Sequence, residues 1–198
     1  MSPLILKKLK NRPGFTLMEV VVVLLIFTLS SIIIAEIFVN VQRAQQRTRD
    51  LQSSYTDARY LLEVIAREIR AGSIDYSSAV YASGIPVPTD ELHLITSQND
   101  TLVFRKSNDG ECAEIGCVTI DRNGAGENPI TTPKLQVDRL QFYITPTTNP
   151  FPDSVTTTTE DIQPQVTVVL KSTSTNSKVT ERTSTYLQTT VTSRAYLR

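Results

Sequence analysis

A run of mostly apolar residues from Phe15 to Ala35 constrains this chain more than any other feature. It holds 21 residues, and at 1.5 Å per residue an α-helix of that length is about 31 Å long, the thickness of one hydrocarbon core. Glu19 is the one acidic residue inside the run. A carboxylate in an apolar medium is unfavourable in free energy, and as a rule it has a function or a partner there. The sequence predicts one membrane crossing.

The segment before this run is basic. Its four cations are Lys7, Lys8, Lys10 and Arg12, with no acidic residue among them. Positive charge flanking a membrane helix stays in the cytoplasm, so we expect the C-terminal part outside it, anchored in the inner (cytoplasmic) membrane. The whole sequence has 20 basic and 20 acidic residues, and loss of these four cations leaves a charge of about −4. A mildly acidic net charge argues against a nucleic-acid-binding surface, which needs clustered Lys and Arg.

The block Gly14 to Glu19, with the sequence GFTLME, resembles the processing and methylation site of type IV pilin-like proteins. In that family a membrane peptidase, the prepilin peptidase, cuts after the glycine and methylates the new amino terminus. The resemblance implies that Gly14 precedes the cut and that Phe15 becomes the methylated N-terminus. It also implies that Glu19 pairs with the Phe15 amine of an adjacent subunit and so sets axial register.

Two other kinds of N-terminal segment fit the apolar run less well. A secretory signal peptide has a shorter apolar region, and its small-x-small cleavage site follows that region. Here the expected cut lies before the apolar run, so the helix stays on the mature protein as an anchor. An uncleaved signal anchor would be the favoured interpretation if the sequence lacked Gly14 and Glu19.

The helix is expected to continue beyond the membrane, because no Pro or Gly occurs between Phe15 and Ala71. One stripe of residues follows spacings of four and three: Ile37, Val41, Ala44, Thr48, Leu51, Tyr55, Ala58, Leu62, Ile65 and Ile69. Gly72 offers a C-cap, which gives a helix of about 57 residues, or about 85 Å. A coiled-coil stalk is the alternative, since the same spacing makes a heptad seam.

After Gly72 the pattern changes to period two. A loop is expected over 73–90. Two strands, one around Leu92 and Leu94 and one around Leu102 and Phe104, are expected to form a hairpin through the turn 97–100. Further strands are expected over 118–120, 135–144, 166–170 and 185–191. The Thr- and Pro-rich stretch 145–161 has no periodicity and predicts an exposed loop. The predicted fold is α+β, a long helix packed on an antiparallel sheet.

This pattern divides the chain into four parts: a leader at 1–14, a transmembrane or filament-core helix at 15–36, an amphipathic helix at 37–72 and a β-rich extracytoplasmic domain at 73–198. The end of the helix, from Arg59 to Gly72, is similar to larger minor pilins and minor pseudopilins. Short segments at 140–143, 164–168 and 187–194 are similar to the same group. The resemblance implies a low-copy minor subunit.

Cys112 and Cys117 are separated by four residues and lie in the part of the chain expected outside the cytoplasm, where disulfides form and last. We expect them to form a disulfide, and two reduced thiols are the alternative. A zinc site is disfavoured because the chain has one histidine, His93, and a zinc site takes four ligands.

No catalytic motif stands out. The sequence has no Gly-x-Ser-x-Gly elbow, no His-Glu-x-x-His helix and no phosphate loop. His93 alternates outward on its strand and is expected at the surface. The pairs Asp90 and Glu91, and Asp109 and Glu111, lack the spacing of a calcium loop. We expect no catalytic residues, no metal and no cofactor.

The sequence therefore predicts a minor pilin-like structural subunit of a type IV pilus or related filament. Its expected partners are the prepilin peptidase, other pilins or pseudopilins, the inner-membrane assembly platform and the membrane itself. A minor pseudopilin of a type II secretion system is one alternative. A membrane-anchored binding module that uses the Thr-rich loop is another, and an anchored enzyme is a third.

Overall fold

The computed structural model describes residues 14–81, 83–109, 112, 116–150, 162–175 and 182–193. The chain divides between Gln46 and Arg47 into two units. One helix, α1 (Leu17–Ala71), begins in the first unit and ends in the second. Antiparallel sheets follow in the second unit, so the predicted α+β class and the long helix are confirmed.

The first sheet is an antiparallel meander in the order β1-β2-β3-β4-β5. Its strands are β1 (Ser73–Ile74), β2 (Glu91–Ile95), β3 (Thr101–Ser107), β4 (Cys117–Arg122) and β5 (Glu127–Pro129). β2 and β3 form the expected hairpin, in which Leu92 pairs with Phe104. Asn99 makes the turn at φ 66°, a left-handed conformation that asparagine tolerates.

The second sheet is antiparallel and has the order β6-β7-β8. Its strands are β6 (Leu135–Thr145), β7 (Gln165–Ser174) and β8 (Ser184–Thr192). Where one sheet is expected, the structure has two. They meet where Thr89 bridges to Phe142, and where the Val137 N–H donates to Gly116 O at 3.0 Å. The predicted loop 145–161 falls largely on residues 151–161, which lie outside the described residues.

The second half of α1 packs on these sheets. Its buried residues are Ser54, Ala58, Leu61, Leu62, Ile65, Ala66 and Ile69. They join one core with the inward-facing side chains of both sheets, including Phe104 and Phe142. The stripe predicted from spacing is therefore buried from Ala58 onward, and in this part of the chain it packs on the chain's own strands instead of on a coiled-coil partner.

The helix ends at the predicted place, and the structure gives the reason for a glycine there. The Gly72 N–H donates to Glu68 O at 2.8 Å, and a Cβ at residue 72 would lie 2.8 Å from Ile95 O. Gly72 is therefore needed because the backbone passes close to the end of β2. Its carbonyl accepts a hydrogen bond from Ser193 Oγ at 2.7 Å, which joins the helix end to the residue after β8.

Candidate assembly site

The block that carries the sequence motif forms the start of α1. Thr16 is the N-cap, because its Oγ1 accepts a hydrogen bond from the Glu19 N–H at 3.3 Å, and its carbonyl accepts from the N–H groups of Glu19 and Val20 at 3.1 and 3.2 Å. Glu19 thus lies in the first helical turn, where a carboxylate also complements the positive end of the helix dipole.

Gly14 and Phe15 precede the helix and are exposed. A Cβ at Gly14 would meet no atom within 4 Å, and the side chain of Phe15 is 80% exposed. Nothing in the described structure of this chain therefore requires a glycine at position 14. The leader cations before Pro13 lie outside the described residues.

The first unit presents an apolar surface without a covering. Large hydrophobic side chains on every face of α1 are exposed here, among them Val22, Leu25, Ile33 and Phe38. An 18-residue window of α1 reaches a mean hydropathy of 2.8 with none of it buried. By length and composition, this helix is able to cross a membrane.

Glu19 lies on this apolar surface. In residues 14–81 and the other described segments, no cationic side chain lies within ion-pair distance of its carboxylate. An uncompensated carboxylate in an apolar medium costs several kcal/mol, on the order of 3 kcal/mol on insertion scales. The described part of the chain therefore supplies no counter-charge for Glu19.

The expected disulfide between Cys112 and Cys117 is present, with their Cα atoms 5.3 Å apart. The loop between them returns through Gly116, whose φ of +65° suits glycine. A Cβ at Gly116 would lie 2.9 Å from Val137 O, so only glycine lets the loop approach β6. The disulfide therefore ties Cys112 to the first residue of β4, next to the hydrogen bond between Gly116 and β6.

The prediction that His93 is a surface histidine is wrong. Its side chain does leave β2 on the face opposite Leu92, but the segment before β2 covers it and leaves it 14% exposed. Nδ1 lies 3.1 Å from Ser78 Oγ and Nε2 lies 3.1 Å from Glu91 Oε2, while the Tyr81 ring packs edge-on at 5.2 Å. Alternation predicts which face of a strand a residue takes, but it does not predict what later covers that face.

One buried tyrosine, Tyr81, and one partly buried tyrosine, Tyr76, hold the same segment. Burial raises the pKa of Tyr81 to about 12, and its hydroxyl donates to Glu91 O at 2.8 Å. Burial, and after it the charge of Tyr81, raises the pKa of Tyr76 to about 12, and this hydroxyl donates to Pro146 O at 3.0 Å. Glu91 also faces Arg105 at 3.6 Å, so its carboxylate is engaged in the fold.

Thr16 and Gly116 are the positions whose roles the sequence reasoning missed. The signal for Thr16 was present, because Thr16 followed three residues later by Glu19 has the pattern of a capping box before an apolar run. The role of Gly116 has no local signal, since it depends on β6, which lies about twenty residues further along the chain.

Comparison with protein-family models matches residues 9–35 to the prokaryotic N-terminal methylation motif. Neither the curated proteins nor the solved structures contain a significant match to the chain. The matched residues include the exposed glycine, the helix cap and the unpaired carboxylate described above. The motif is the prepilin-type cleavage site of type IV pilins, and it supports a type IV pilin-like protein that is processed by a prepilin peptidase.

Proposed function

We propose that this protein is a minor, structural subunit of a type IV pilus or a related filament and assembles through the first half of α1. The observation that carries the proposal is the uncovered apolar surface of α1 up to Ala35, which begins at a prepilin-type cleavage motif. A helix that is apolar on every side is stable only in a membrane or among other helices. An assembling subunit uses both environments in turn.

Three residues of the motif have separate roles in this proposal. Gly14 is the residue before the cut, and its exposure agrees with a chain that has to enter a peptidase pocket. Phe15 becomes the methylated N-terminus. Glu19 accepts the positive Phe15 amine of a neighbouring subunit, which compensates its charge in an apolar medium and sets the axial register of the helices.

The parts of the chain divide the work. The leader 1–14 is removed, residues 15–36 lie first in the inner membrane and then in the filament core, residues 37–72 complete the helix, and the domain 73–198 stands outside the cytoplasm. Other pilins and the inner-membrane assembly platform are the partners of this arrangement. The motif favours a structural subunit over an enzyme, because it serves processing and assembly.

Mass spectrometry of the N-terminus in purified filaments tests the proposal. The expected mature protein begins at N-methylated Phe15. Gly14→Val should leave the precursor uncut, because a branched side chain does not fit a pocket that takes glycine, whereas Gly14→Ala should still be cut. Both variants should fold equally well, since a Cβ at Gly14 meets nothing within 4 Å. Filament-bound protein that retains its leader contradicts the proposal.

The same helix would serve a minor pseudopilin of a type II secretion system. Identification of the proteins that co-purify with the processed subunit separates the two machines. Pilus subunits support the first assignment, and secretion subunits support the second. An anchored binding module, by contrast, should remain in the membrane fraction and be absent from filaments.

A further inference from the structure

β8 is a long sheet edge that the described chain leaves open. It pairs with β7 over nine residues without a bulge, and it contains no charged residue, no proline and no glycine. The first sheet ends in short strands, two residues in β1 and three in β5, and β5 contains Pro129. Proteins protect sheet edges by such means, and β8 has none of them.

The hydrogen bonds that flank β8 show which of its backbone groups face outward. The Ser193 N–H donates to Pro164 O, and Thr183 O accepts from the Ser174 N–H, both at 3.0 Å. Odd-numbered residues of this strand therefore direct their N–H and C=O groups toward β7. Because this direction alternates along an antiparallel strand, the even-numbered residues Tyr186, Gln188 and Thr190 direct theirs to the open edge.

A groove of about 420 Å³ lies beside this edge, between β8 and α1. Three consecutive residues of β8, 187–189, form one wall, which is what a strand edge presents, whereas a strand face would present every second residue. The opposite wall belongs to α1 and includes Tyr55, Arg59, Glu63 and Arg70. An extended chain in this groove would pair with β8 on one side and pack on the helix on the other.

The helix wall is positively charged. Arg59 lies 5.4 Å from the centre of the Tyr55 ring, and neither Arg59 nor Arg70 forms an ion pair within the described residues. Glu63 is the one carboxylate that lines the groove. Two guanidinium groups against one carboxylate favour an occupant with an acidic side chain.

We propose that β8 and this groove bind an extended acidic segment of a different pilin-like subunit, which adds a fourth strand to the second sheet. A second copy of β8 fits less well, because the strand has no carboxylate to offer Arg59 and Arg70. Strand addition gives affinity through main-chain hydrogen bonds, and the two arginines select the sequence. The inference rests on the proposed function, because the neighbour has to be held in the same filament.

Gln188→Pro removes one outward N–H and leaves the ladder to β7 intact, since proline is tolerated at an edge whose N–H faces solvent. Gln188→Thr changes the side chain and keeps the N–H, so it is the matched control. We expect Gln188→Pro to lower incorporation into filaments at least fivefold, with a thermal midpoint close to wild type, and Gln188→Thr to resemble wild type. Equal incorporation of both variants overturns the proposal.

The charge requirement has its own test, which does not depend on how β8 tolerates proline. The double variant Arg59→Glu with Arg70→Glu should lower incorporation at least threefold, whereas Arg67→Glu should leave it unchanged. Arg67 is an exposed arginine of the same helix that does not line the groove. If Arg67→Glu and the double variant behave alike, the groove does not select by charge and the proposal fails.

A photo-crosslinking residue at position 188 in the full-length protein identifies the occupant, with position 125 as the exposed control site. We expect an adduct in isolated filaments from position 188 alone, joined to an acidic segment of another protein that carries the N-terminal methylation motif. An adduct with a second copy of this chain, or the absence of any adduct, overturns the inference. If the processed subunit is still present in those filaments, the proposed function is unaffected. Absence of the processed subunit from filaments rejects both.

Discussion

The two halves of α1 form one continuous helix, but they differ in the exposure of their apolar side chains. Up to Ala35 its large apolar side chains are exposed on all sides, and Ile33 is a representative at 58%. After Ala58 one stripe is buried in the core, where Ile65 is 0% exposed. A helix with a single apolar stripe is stabilised by its own domain, whereas a helix that is apolar all round needs a different environment. One helix thus joins a segment that depends on its surroundings to a segment that depends on the chain.

The most direct test of this difference between the two halves is to make the same substitution in each of them. Ile65→Ala should lower the free energy of unfolding of the domain by about 2–5 kcal/mol, because it opens a cavity in a closed core. Ile33→Ala should change that free energy by less than about 0.5 kcal/mol, since its side chain is 58% exposed. Urea unfolding of the full chain in detergent, followed by near-ultraviolet circular dichroism, measures both.

Filament incorporation should reverse the order of these two variants at matched membrane levels. Ile33→Ala removes contact area among neighbouring helices, and the folded fraction of Ile65→Ala remains competent to assemble. A domain destabilised equally by both variants would contradict the division of α1 into two surfaces.

Loss of the disulfide should be the next largest effect and should be confined to the second unit. Replacing Cys112 and Cys117 together by alanine removes the covalent link between Cys112 and the first residue of β4. We expect a loss of about 2 kcal/mol in unfolding free energy and no change in membrane insertion. Non-reducing peptide mapping of protein from the cell envelope should show the linked pair, and freely alkylated thiols would show that this bridge does not form in the cell.

Glu19→Ala should affect assembly and leave the domain unchanged. When Glu19 loses its carboxylate, the Phe15 amine of a neighbouring subunit has no counter-charge. We expect at least a tenfold loss of incorporation, about 1.4 kcal/mol. Insertion and cleavage should persist, because removal of a charge eases entry into a bilayer. Glu19→Asp retains the charge with a shorter reach and should lie between. Wild-type incorporation of Glu19→Ala would show that the carboxylate has no pairing role.

Alkaline pH should destabilise the second unit through the buried Tyr81. The folded pKa of Tyr81 is raised to about 12 from an ordinary value of 10, so its contribution to stability is complete below pH 10 and is lost as the pH rises toward 12. We expect a loss of roughly 1 kcal/mol at pH 11 from this group. Tyr81→Phe should reduce the slope of stability against pH, and the helix signal of the first unit should not change. An unaltered slope would assign the alkaline loss to other groups.

Local patterns were sufficient to predict much of this molecule. The spacing of apolar residues and the absence of Pro and Gly gave α1 to within two residues at its start, and Gly72 marked its end. Alternation of Leu92, Leu94, Leu102 and Phe104 around a polar turn gave the first hairpin. Each of these features depends on residues that are close in sequence.

The features that were missed depend on distant contacts. The separation into two sheets follows from the pairing of strands, and alternation within a strand carries no information about its partner. The partial burial of His93 depends on Tyr81 and Ser78, which approach it from a preceding segment without periodicity. The open edge of β8 likewise becomes visible only when the order of strands is known.

The hydrogen bond from Ser193 Oγ to Gly72 O joins residues 121 positions apart, and it gives the folding of this protein an order in time. The apolar half of α1 emerges from the ribosome first and can insert at once. The second half has to wait for the strands that cover it, and its end cannot be closed until β8 has been synthesised. During that interval the stripe around Ile65 is exposed to chaperones and proteases, because contacts of such long range form slowly. The apolar half of α1 is therefore available for insertion before the second unit is folded.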